Sequence, residues 1–205
     1  MASVITTVAD VVNLALVRIG YHETIGDIYE GSKAANAALA IYGQTRDEVL
    51  RLSGWGFAES TATLTLLKQA PVGGYGAWRP WDPTTDPPLP WRYEYTYPSD
   101  CLQVRAIRDT PLFLMNPDPQ VHRFSVDNDS TYTPSRKVIL SNTENAVLLY
   151  TRQVTNPTAW EADFVEALAV ALAHRLQPVL MKVDALKAEA QDVTLAKQVH
   201  DPGEA

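Results

Sequence analysis

The sequence predicts an α+β protein: an antiparallel bundle of about four helices that carries an inserted, small antiparallel β-sheet or sandwich. Three observations point there. Apolar residues recur at helical spacing before residue 53, short strand-like runs bounded by turn residues follow from 59 to 152, and helical spacing returns after Trp160. The expected division is 1–58 and 158–200 for the helical part and 59–157 for the β insertion.

Thr6 or Thr7 can cap a first helix with Val8, Val11, Val12, Ala15, Leu16 and Ile19 on its apolar side. Gly20 then stands where a helix turns off. A turn-rich connector over 21–31 leads to Ser32, the cap of a second helix reaching about Leu52. The short connector makes an antiparallel hairpin the economical arrangement. Residues 46–58 read as a helix end, a glycine break and an aromatic pair, Trp55 and Phe57, at the joint with the extended chain. Arg46 and Asp47 are candidates for a structural or inter-subunit pair.

From 59 to 67 Thr and Leu alternate as in one pleated strand. Residues 70–90 then hold six prolines, three glycines and the tryptophans Trp78 and Trp81. Proline fixes φ and lacks an N–H, so this stretch is expected to project as a long loop. Core packing, an interface anchor and saccharide stacking all fit its aromatic content. Trp78, Arg79 and Trp81 are the interface candidates. Strand-like runs at 91–97, 102–108, 121–126, 136–140 and 146–152 are spaced for an antiparallel sheet. In the third helical stretch Pro178 is expected to kink or end the helix, and Asp184 to cap a last amphipathic helix with Leu186, Val193 and Val199 among its apolar positions.

Composition bounds the chemistry. The net charge of −7 opposes nonspecific attraction to nucleic acid. One cysteine, Cys101, excludes an intramolecular disulfide and a cysteine-rich zinc site. No serine elbow is present, and His22, His122, His174 and His200 share no short spacing. His174 is expected to be packed or interfacial. Asp82, Asp86, Asp118, Asp127 and Asp129 are better turn caps than calcium ligands. The expectation is no catalytic residue, no metal and no cofactor. The N-terminus has no basic leader pattern and no apolar run looks long enough to anchor in a membrane.

One resemblance gathers these pieces. Ile19-Gly20, then Tyr42-x-x-x-Arg46-Asp47-x-x-Leu50 and Trp55-x-Phe57-Ala58, are followed by Trp91-x-Tyr93-x-Tyr95-x-Tyr97-Pro98-x-Asp100-Cys101-Leu102 and Arg105. Tyr150-Thr151 and Phe164-x-x-Ala167-Leu168 complete the order. The set resembles the tail tubular protein A family of short-tailed phages, the head-to-tail adaptors or gatekeepers, over roughly residues 5–180. The resemblance implies a non-enzymatic virion protein of the tail or neck, assembled in the host cytoplasm. It implies a homo-oligomeric ring of twelve subunits between the portal protein and the tail nozzle or tail tube protein, with genomic DNA passing through without sequence-specific binding. Leu186, Val193 and Val199 are the portal-docking candidates. The proline-rich 70–90 stretch and Pro178 depart from the family pattern. Two further classes remain open: a neck or tail-completion protein of a long-tailed phage, and a carbohydrate-binding or carbohydrate-hydrolysing tail module.

Overall fold

In a computed structural model that describes residues 6–109 and 122–199, with side chains of the last helix described to residue 181, the chain divides into two units. One comprises Met1–Ser53 with Val154–Ala205, the other Gly54–Gln153.

The first unit is helical. Helix α1 (Val8–Arg18) opens on a reciprocal cap: Thr7 Oγ1 accepts from the Asp10 amide at 3.2 Å, and the Asp10 carboxylate accepts from the Thr7 amide at 2.8 Å. It closes where Gly20 turns to φ +73°. That lets the amides of Gly20 and Tyr21 reach the carbonyls of Val17 and Leu16 at 3.1 and 3.0 Å. Asn13 leaves the apolar pattern for a reason: its side-chain amide both donates to and accepts from the backbone of Ile25, fastening the connector to α1. Helix α2 (Lys33–Leu52) is capped by Ser32, which accepts from the Ala35 amide.

Helix α3 (Ala162–Val199) corrects the expected four-helix bundle. It runs through Pro178 without a break, so Asp184 lies inside a helix and not at a cap, and the described residues hold three α-helices. Proline in a helix interior costs about 3 kcal/mol through the lost N–H and the ring clash. Here Pro178 sits on the exposed side, while Leu176 and Leu180 next to it are fully buried. Each buried leucine is worth about 2 kcal/mol, so packing outweighs the local penalty. Both α1 and α2 pack against α3, which fills the middle of the unit with Phe164, Leu168, Leu172, Leu176 and Leu180. The window Ala162–Met181 is long and apolar enough by composition to cross a membrane, against the sequence expectation. Its inward face is the core of this helical unit.

The second unit holds far more sheet than the small insertion expected. Among the described residues its seven strands are β1 (Glu59–Thr63), β2 (Leu66–Gln69), β3 (Tyr93–Thr96), β4 (Cys101–Asp109), β5 (Phe124–Asp129), β6 (Arg136–Ser141) and β7 (Ala146–Arg152). They form two antiparallel sheets, ordered β1-β7-β4 and β2-β3-β6-β5. The single strand expected over 59–67 is two strands in different sheets, with the switch at Leu64 and Thr65. The Leu64 amide still bonds Ala146, whereas the Thr65 carbonyl already accepts from Thr96. Leu64, Tyr93, Tyr95, Ile107, Ile139 and Leu148 from both sheets meet in one core, together with Cys101.

Candidate functional site

The register of the four-stranded sheet decides what each face carries. Leu66, Tyr95, Ile139 and Val126 lie in one transverse row, and Lys68, Glu94, Leu140 and Ser125 in the next, on the opposite face. Glu94 alternates with Tyr93 and Tyr95 along β3, so it points away from the tyrosine-lined core. That second face carries a buried charged cluster. Lys68 Nζ donates to the Pro83 carbonyl at 3.1 Å, to Asp129 Oδ2 at 2.5 Å and to Thr131 Oγ1 at 3.0 Å. Glu94 Oε2 is 3.8 Å from the same nitrogen.

The three carboxylates near this cluster behave differently. Glu94 is fully buried, and neither of its carboxyl oxygens has a hydrogen-bond partner. Burial pushes its pKa up to about 7, and the attraction of Lys68 only partly offsets that. Burial also acts on Asp129, but hydrogen bonds from Lys68 and Thr131 win and hold it at about 2. Asp86, also buried, is held below the usual carboxylate range by the Arg79 guanidinium, which donates to it twice at 2.9 and 3.0 Å.

The 70–90 stretch is a loop, as expected, and most of its residues are exposed, but these contacts tie parts of it down. Its base is closed by the Ala70 amide on the Arg92 carbonyl, and its middle is tied by the Arg79–Asp86 pair and by Trp81 Nε1 donating to Pro87. Lys68 holds it to the sheet through Pro83. A cavity of ≈ 230 Å³ remains between the loop and the sheet, lined by Lys68, Trp81, Asp86, Asp129 and Val138 among others. With all three hydrogens of Lys68 directed at oxygens, the cluster offers no free amine nucleophile. Its arrangement is that of a clasp fixing a loop.

Of the interface candidates, Trp78 is 78% exposed and Trp81 40%, whereas Arg79 is committed to Asp86. Arg46 is buried, donates to Asp47 at 2.7 and 2.9 Å, and lies over the Tyr42 ring, so the two form a pair within α2. Trp55 and Phe57 are half-buried neighbours with ring centroids 6.4 Å apart. Leu186, Val193 and Val199 fall in the helical backbone of α3, but their side chains lie outside the described residues, as do Asp118 and His200. His174 is exposed, contrary to a packed role. Burial raises the Cys101 thiol, so it is a poor nucleophile at neutral pH. Asp82 accepts from the Thr84 amide and hydroxyl, the turn-capping role expected of it. Among the described residues no three His, Cys, Asp or Glu side chains gather as a metal site.

Sequence reasoning missed Lys68, Glu94 and Asp129 as a group. The available signal was Glu94, an acid alternating with tyrosines, which the sequence places on the other face of the strand. No protein-family model matches this chain, and no curated protein matches it.

Proposed function

We propose that this chain is a subunit of a head-to-tail connector ring, seated between portal and tail and surrounding the path of the genome. One observation carries the reading: the ordered motif set that resembles the tail adaptor family is made of residues whose roles here are architectural. Tyr93, Tyr95 and Cys101 fill the β core, and Phe164 and Leu168 fill the helical core. Asp100 accepts from the Tyr150 hydroxyl at 3.2 Å and its carbonyl receives the Gln153 amide at 2.8 Å, tying the turn before β4 to the end of β7. Such residues give a subunit shape, which is what a connector supplies.

The helical unit also leaves Val17, Leu52 and Val179 exposed at 67, 80 and 51%. In a ring such residues would have neighbours to cover them. The mechanism is mechanical: the ring converts one annular surface into another and helps retain packaged DNA.

The test is mass by light scattering, for the protein alone and after mixing with its portal ring. Addition of a stoichiometric ring of subunits to the portal is the expected result. Deleting residues 184–205 is expected to abolish that association while the β unit stays folded. A protein that remains monomeric beside the portal overturns the proposal and turns attention to Trp78 and a saccharide panel. A ring that joins only long-tailed neck proteins moves the assignment to tail completion.

A further inference from the structure

One end of the β unit, where the chain between β3 and β4 approaches the chain between β5 and β6, carries a groove of ≈ 660 Å³. Tyr97 and Tyr132, Arg136 and Lys137, and the hydroxyl residues Ser99 and Ser135 are among its lining residues. None of the described lining residues is an Asp or Glu, in a chain whose net charge is −7. The neighbouring acids are occupied elsewhere: Asp100 accepts from Tyr150 at 3.2 Å and Asp129 from Lys68 at 2.5 Å.

Arg136 and Lys137 are exposed, and each lies by a tyrosine ring. Lys137 Nζ is 4.0 Å from the Tyr97 ring centroid, and the Arg136 guanidinium carbon is 5.8 Å from that of Tyr132. A ring face steadies a cation without neutralising it, so both charges stay available to an incoming anion. We propose that this groove binds an acidic peptide segment of a partner protein. Its carboxylates would meet Arg136 and Lys137, and the serine hydroxyls would serve its backbone.

Single-stranded nucleic acid is the rival, and the same geometry disfavours it. Base stacking needs open aromatic faces, whereas Tyr97 carries Lys137 and Tyr132 has both Lys68, at 5.5 Å, and Arg136 beside it. Duplex binding needs a long basic stripe to release counterions, and two charges do not make one. This proposal stands apart from the connector reading and survives its failure.

The test is an amide NMR titration of the ¹⁵N-labelled full chain with hexaglutamate, and in parallel with hexathymidylate, at low salt. The expected result is shift changes confined to residues 97–101 and 132–137, weakening as salt is added. Lys137→Glu should eliminate them. Lys137→Gln alone should weaken binding about five-fold, Arg136→Gln combined with Lys137→Gln should eliminate it as the charge reversal does, and Lys33→Gln in the helical unit should leave it unchanged. Since both side chains are exposed, the variants' own spectra report whether the fold is kept. Absent or scattered shifts overturn the proposal, as does an equal loss in Lys33→Gln. Tighter binding of hexathymidylate at the same amides would make the groove a nucleic-acid site instead.

Discussion

In the helical unit the largest fully buried side chains are Leu16, Leu50, Phe164, Leu168, Leu172, Leu176 and Leu180; its buried charge, Arg46, pairs with its chain neighbour Asp47, and its inter-helix ion pairs, Arg18–Glu166 and Arg175–Glu48, lie partly in solvent. The β unit instead buries Lys68, Glu94 and Asp86 as well as Tyr95, whose hydroxyl donates to the Thr143 carbonyl at 2.6 Å. The two interiors therefore draw their specificity from different sources. An apolar interior depends on area and volume and is insensitive to pH, and solvent-facing ion pairs add little to it. A buried charged interior depends on particular partners in particular protonation states.

The largest blow to the helical side of that contrast is Phe164→Ala. Phe164 is fully buried and its ring meets Trp160 edge-on at 5.3 Å. Its loss is expected to cost about 4 kcal/mol, read by urea unfolding followed with far-ultraviolet circular dichroism. A cost below about 1 kcal/mol would mean the apolar core does not carry this unit.

A somewhat smaller effect would sharpen the β side. Glu94 titrates at about 7 in the fold against an ordinary value of 4.5. Its raised value means the associated stability is complete below pH 4.5 and is lost as pH rises through 7. The total is about 3 kcal/mol. Asp129 has the opposite sense, losing its contribution only as pH falls from 3.8 toward 2, so the two windows do not overlap. Glu94→Gln should therefore flatten the stability profile between pH 4.5 and 7 and exceed the parent in mildly alkaline solution. Tyrosine and tryptophan fluorescence during denaturation at several pH values checks this. A variant with the parent's pH profile would remove Glu94 from the account.

The smallest effect belongs to Trp78→Ala. With 78% of the residue exposed, the fold should change by less than about 0.5 kcal/mol. A larger loss in thermal unfolding would show that the loop tip packs. Unchanged stability with lost partner binding would mark Trp78 as an interface residue.

What could be read in advance follows the same contrast. Thr7, Gly20 and Ser32 announce helix ends because caps are local chemistry, and each is used as its residue type suggests. Pro178 misleads for the opposite reason: its penalty is local, but the leucines that outweigh it are buried against other helices. The change of sheet after Leu64 is silent in the sequence, since alternation has the same period in β1 and β2. Leu66, on the edge strand β2, lies 45% exposed although it shares a row with the buried Tyr95. The prolines of 70–90 correctly forbid a strand ladder there. They carry no sign that Lys68 finds an acceptor in the Pro83 carbonyl, 15 residues further along the chain, because that contact depends on how the loop folds back.

The discontinuity of the helical unit has a bearing on synthesis. Ribosomes deliver α1 and α2 first, then the whole of Gly54–Gln153, and only afterwards the α3 segment against which both earlier helices pack. Every strand of both sheets lies within that middle stretch, so the β unit can close while the nascent chain still lacks α3. Through that interval Val11, Val12, Leu16 and Leu50 wait without the helix that covers them. Translation pausing before residue 162, or truncation there, should therefore yield a folded β unit trailing a chaperone-dependent, aggregation-prone helical pair.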